Sequence, residues 1–217
     1  MRGGLHILRN VSGRRTLPLL TGRGAVLAVL AALAPALEAV VISEIHYHPP
    51  AGDERLEFIE LANDSSTPED ISGYSFVEGI VFEVPAGTIL RGKGILVICA
   101  DVDLLTARHG ITNAIGNFEG SLDNDGERLT LVDHAGRVVQ SVRYRARGKW
   151  PVAPDGTGHT LVLRSVHLDS KEPESWTQSP RLGGSPGLAN FSREVVEPPA
   201  RVVVAKGSLW RYAKGTA

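Results

Sequence analysis

From Val40 onward the chain is cut into short pieces. Runs of Val, Ile, Leu, Thr and aromatic residues each end at residues that favour turns. The β-rich runs are Val40–Tyr47, Leu56–Leu61, Tyr74–Val77, Ile80–Val84, Ile95–Cys99, Arg128–Val132, Val138–Tyr144 and Thr160–Leu163. Pro49-Pro50, Asn63-Asp64, Ala86-Gly87, Asp125-Gly126 and Ala135-Gly136 separate them. Proline has no N–H for a strand ladder, and Gly, Asn and Asp accept the backbone angles of tight turns. Short strands spaced this regularly predict an all-β antiparallel sandwich or barrel and argue against alternating β and α units.

One segment departs from the pattern. Asp101–Gly110 (DVDLLTARHG) begins with aspartates suited to cap a helix, carries Leu104-Leu105 for a core, and ends in Arg108, His109 and Gly110. Cations suit the negative end of a helix and glycine suits its left-handed stop, so a short helix joining two strands is expected. Arg128–Val132 and Val138–Tyr144 form the clearest hairpin. Strict alternation would place Val138, Gln140, Val142 and Tyr144 on one face and Val139, Ser141 and Arg143 on the other.

The first 39 residues read as a leader. Arg2, Arg9, Arg14, Arg15 and Arg23 are its only charges before Glu38, and Gly24–Ala36 is a short apolar run broken by Pro35. A basic start, a short apolar middle and small residues predict a signal peptide cut after Ala36 or Ala39 and a protein exported to the medium, cell envelope or periplasm. The run is too short to span a bilayer comfortably, so no stable membrane span is expected after cleavage. The Arg14-Arg15 pair resembles a twin-arginine signal only weakly. Cutting after Ala36 leaves 18 basic against 24 acidic residues, a net of −6, and cutting after Ala39 leaves −5. That balance offers no footprint for nucleic acid. Cys99 is the single cysteine, so an internal disulfide is excluded and an apolar core must hold the fold. Within GILVICA the thiol is expected to pack as a small hydrophobe.

Val41–Ala62 (VISEIHYHPPAGDERLEFIELA) is where chemistry is most nearly suggested. His46, His48 and Glu44 alternate onto one strand face, and Glu57 or Glu60 on a facing strand would complete nitrogen and oxygen ligands of the kind zinc accepts. The competing explanation is favoured: solvated histidines at a strand end, with the glutamates on the outward face of an edge hairpin or hydrogen-bonded within it. No metal, cofactor or catalytic residue is therefore assigned. Asp123-Asn124-Asp125-Gly126-Glu127 lacks the calcium-loop register and is expected to be a turn. Neither a Gly-x-Ser-x-Gly elbow nor a phosphate-cradling glycine loop occurs, and Arg91-Gly92-Lys93-Gly94 leads into a strand. Trp150, Trp176 and Trp210 could stack on a sugar ring, which keeps carbohydrate as a weak candidate, but burial of the first two is favoured.

Taken in order, these pieces resemble the lamin tail domain of exported bacterial proteins across Val40–Asn190. They are ISEIHYHPP, EFIELAN, ISGYSF, FEVPAGTILRGKGILVICAD, the helix ending in RHG, GSLDNDGERLTLVDHAGRVVQSVRY, KWPVAPDGTGHTLVL and ESWTQSPRLGGSPGLAN. The resemblance implies an immunoglobulin-like β-sandwich at 40–190 and a non-catalytic module, often joined to other domains. Residues 191–217 change character: EVVEPPA suits a linker, and KGSLWRY resembles the start of a further β domain. The expected role is attachment, protein–protein interaction or domain spacing, with a protein or cell-envelope component as partner. The alternative is the front part of a larger exported enzyme with its catalytic domain beyond Ala217.

Overall fold

The structure, a computed structural model, describes residues 40–190. The expected leader (1–39) and the expected linker and further domain (191–217) lie outside the described residues. Twelve strands occur among them: β1 (Val40–His46), β2 (Phe58–Asn63), β3 (Glu69–Asp70), β4 (Ser75–Glu78), β5 (Phe82–Glu83), β6 (Ile89–Leu90), β7 (Ile95–Cys99), β8 (Ala114–Gly116), β9 (Arg128–Val132), β10 (Val138–Arg143), β11 (Leu161–Leu163) and β12 (Trp176–Gln178). A six-stranded sheet runs β12-β11-β1-β2-β7-β8, a four-stranded sheet runs β10-β9-β4-β5, and β3 pairs with β6. Of the sandwich or barrel that the strand spacing predicts, this is the sandwich, in the immunoglobulin-like form that the resemblance implies.

The helix α1 (Val102–His109) forms where expected. The Asp101 side chain accepts the Leu104 N–H, and Gly110 closes the helix at φ 66°. Its position explains the one parallel pairing, β7 with β8, because parallel neighbours need a crossover and α1 supplies it.

Alternation along the strands decides what each face buries. Ile45, Ile59, Leu61, Ile98, Leu161 and Leu163 point inward from the large sheet. They meet Phe76, Phe82, Leu129, Leu131 and Val142 from the small one in a single core. Complete burial of such side chains contributes about 1.5–3 kcal/mol each. The opposite face of the large sheet is covered too. Phe58, Val97 and Cys99 pack under Leu105 of α1, so Cys99 is the small buried hydrophobe anticipated.

Two expectations are corrected. The β1–β2 hairpin is not at an edge: β11 flanks it on one side and β7 on the other. In β10, strict alternation fails because Val138 pairs with Val132 while Gln140 pairs with Leu131, leaving Val139 as an extra residue. That bulge turns Val138 out to 58% exposure and lets Val139 pack toward the core. Val142 and Tyr144, beyond the bulge, are both buried, as sharing one face requires.

Candidate functional site

A second bulge sets the geometry of the central strands. Ile42 pairs with Leu61 and Glu44 with Glu60, so Ser43 is the extra residue in β1. The bulge leaves Ile42 facing the core and puts Glu44 and Glu60 side by side on the outer face of the large sheet. Both are buried, so of the two expectations for the hairpin carboxylates the outward face is corrected, while Glu60 is hydrogen-bonded within the hairpin, to Ser43.

What buries them is residues 180–190, which cross over this face. Glu44 accepts hydrogen bonds from the Thr160 hydroxyl (2.5 Å), the Ser185 N–H (3.1 Å) and the Asn190 amide (2.6 Å). Glu60 accepts from the Ser43 hydroxyl (2.7 Å) and the Gly187 N–H (3.0 Å). Burial raises the affinity of both carboxyls for a proton, and for Glu60 the neighbouring Glu44 adds to the effect. The donors around them oppose it. The pair thus clasps residues 180–190 to the sheet.

The other candidates are engaged separately. Glu57 is buried ahead of β2 and accepts the Leu122 N–H at 2.8 Å; burial pushes its carboxyl up to about 8. His46 lies edge-on to Phe58, ring centres 5.4 Å apart, and neither ring nitrogen has a hydrogen-bond partner. Burial, its largest cause, lowers His46 to about 4. His46 is therefore not the solvated strand-end histidine expected. His48 bonds Asp155 through Nδ1 at 2.7 Å near the surface. The alternation of Glu44 and His46 onto one face is correct, but among the described residues no three His, Cys, Asp or Glu side chains gather as a metal-ligand group.

Trp150 and Trp176 are buried with ring centres 6.2 Å apart, and the Trp176 Nε1–H donates to the Ser170 carbonyl. Neither presents a free face for stacking; Trp210 lies outside the described residues. Asp123–Glu127 is the expected turn. The Asp123 carboxylate accepts the Asp125 N–H, and Gly126 adopts φ 108°.

Beside the clasp opens a cleft of about 670 Å³ that sequence reasoning missed. Ser43 and Asn190 line it, so its wall is continuous with the buried carboxylates. Lys93, Arg164 and Asp64 bring charge, His167 adds an imidazole, and Ala62, Ile95 and Val166 contribute apolar surface. Lys93 pairs with the Asp64 carboxylate at 2.8 Å and also donates to the Asp64 carbonyl. His167 approaches the same carboxylate at 3.4 Å. The only hint in the sequence was a lysine held between two glycines, which reads as an ordinary turn before a strand.

The lamin tail domain family model matches residues 34–146, more than half of the 217-residue chain. The chain belongs to the lamin tail domain family. No curated protein matches it. The match covers the β1–β2 hairpin, α1 and the small sheet, and it ends at Ala146. The donors that Thr160, residues 180–190 and Arg164 bring to the clasp and cleft thus lie beyond the matched part of this lamin tail domain. No described helix is long and apolar enough to cross a membrane.

Proposed function

We propose that this lamin tail domain is an exported, non-catalytic module that attaches to a protein or cell-envelope component, or spaces neighbouring domains. One observation carries the reading. The carboxylates best suited by burial to acid–base chemistry, Glu44, Glu57 and Glu60, direct their oxygens at N–H and hydroxyl groups of the fold itself. An acid or base that acts on substrate needs a hydrogen-bond path to the reacting atom, whereas these groups tie loops to the sheet. Cys99, its thiol pushed up to about 12 by burial, is likewise held as a neutral core side chain and not as a nucleophile.

The test is to produce the full chain with a C-terminal tag in a bacterial host and follow it by fractionation and N-terminal sequencing. The expected product begins at Leu37 or Val40, lies outside the inner membrane, and is retained saturably by envelope preparations. Cytoplasmic, unprocessed protein overturns the export. Turnover of ester, phosphate or glycoside substrates that disappears in Glu60→Gln overturns the non-catalytic role.

A further inference from the structure

We propose that the cleft beside Ser43 and Asn190 receives an acidic polypeptide segment of a partner. A carboxylate would be held by Lys93 and Arg164, and an aliphatic neighbour would sit on Ala62, Ile95 and Val166. The inference rests on the attachment reading above and names the surface that performs it.

At about 670 Å³ the cleft falls among ligand-binding pockets, which run ~300–1,000 Å³. Its cations are placed in advance. Lys93 holds φ 57°, a left-handed conformation that is strained for a non-glycine residue. The position is locked because the Lys93 N–H donates to the Ser65 carbonyl at 2.9 Å. The preceding Gly92 is packed so tightly that an added Cβ would lie 2.3 Å from the Ser66 oxygen. A side chain held at this cost beside a cleft points to a functional constraint, since a glycine would fill the same turn without strain.

Arg164 is anchored differently. Its Nε–H donates to the Trp176 carbonyl at 3.1 Å, which leaves the outer guanidinium donors for a second acceptor. Among the described residues Arg164 forms no ion pair. Two fixed cations, Lys93 and Arg164, face the single carboxylate of Asp64, so the cleft carries surplus positive charge in a chain with 18 basic against 24 acidic residues from Leu37 onward. Charge complementarity selects an anion. The adjoining apolar surface selects one attached to an aliphatic group, which alternating acidic and aliphatic side chains of a polypeptide supply.

The probe is a fluorescein-labelled peptide alternating valine and glutamate, compared with its glutamine twin, titrated into the full chain and read by anisotropy. The glutamate peptide is expected to saturate below about 1 mM, a standard-state affinity of about −4 kcal/mol. The glutamine twin is expected to bind at least tenfold more weakly. Lys93→Gly, which relieves the strained backbone and so folds, and Arg164→Gln are each expected to weaken binding about threefold to tenfold. Raising salt is expected to weaken it further. Equal binding of the twin, wild-type affinity in both variants, or no saturation overturns the proposal. Peptide binding that appears only after Glu194→Gln and Glu197→Gln assigns the cleft to the chain's own acidic segment and overturns a partner in that place. Envelope retention unchanged in both variants, with no peptide binding, sinks this inference and leaves the attachment reading standing.

Discussion

Gly184 lies so close to the Glu44 carboxylate that a methyl group has no room beside it. At φ 72°, an added Cβ would sit 2.0 Å from Glu44 Oε1 and 2.6 Å from Thr160 Cγ2. Either residues 180–190 lift from the sheet or the carboxylate leaves its donors. Gly184→Ala is expected to cost about 2–4 kcal/mol, read as a lowered urea midpoint. Gly136→Ala is the matched control: its φ is 76°, but nothing lies within 4 Å of the added Cβ, so only the left-handed strain of about 1–2 kcal/mol applies. Similar losses in both would show that Glu44 is not clamped by this contact. Cys99 gives a second residue-scale expectation. Fully buried under Leu105, it should resist thiol reagents in the native state and react at once in denaturant. Fast labelling of folded protein would mean that α1 opens readily from the sheet.

At the scale of elements, the helix shows how far local sequence carries. Asp101 at the cap, Leu105 inward and Gly110 at the stop are short-range features, and each appears as read. Asp101→Ala removes the acceptor of the Leu104 N–H and should lower stability by about 1 kcal/mol in chemical denaturation. No change would mean that the cap adds nothing once tertiary contacts hold α1. The β-runs were legible for the same reason: turn residues and alternation are local. Which strand is central is not local. β1 and β2 carry glutamates that look solvent-facing by period alone, yet Glu44 meets donors 116 to 146 residues away in sequence and Glu60 meets one 127 residues away. Bulges were equally hidden, because an extra residue such as Ser43 or Val139 is defined only against its partner strand. The cleft combines Lys93 from one turn with Arg164 and His167 from a segment some seventy residues later, so no single motif announces it.

For the whole molecule, the buried titratable groups predict how stability follows pH, and their signs differ. The Glu57 carboxyl, raised from 4.5 to about 8, stays protonated in the fold while the unfolded chain loses that proton above its ordinary value. Its contribution is therefore complete below 4.5 and is lost as pH climbs through 8. Glu44 and Glu60, also raised by burial, act in the same direction. His46 acts oppositely: lowered from 6.5 to about 4, it stabilises fully above 6.5 and loses that contribution as pH falls through 4. Between 4.5 and 6.5 the imidazole offsets part of the carboxyl effect, and above 6.5 nothing among these groups does. Urea midpoints are thus expected to fall more steeply from about pH 6.5 to 8 than from about pH 5 to 6.5. Glu60→Gln, neutral at every pH, should flatten the upper limb, and His46→Phe should steepen the lower one. A wild-type midpoint that stays level between pH 6.5 and 8 would mean that the carboxylates are already ionised under residues 180–190, since neither the folded nor the unfolded chain would then release a proton from them in that range. The clasp would then be held by charge-assisted bonds of constant strength across that range, and the same titration would show Glu60→Gln losing an equal amount of stability at pH 6.5 and at pH 8.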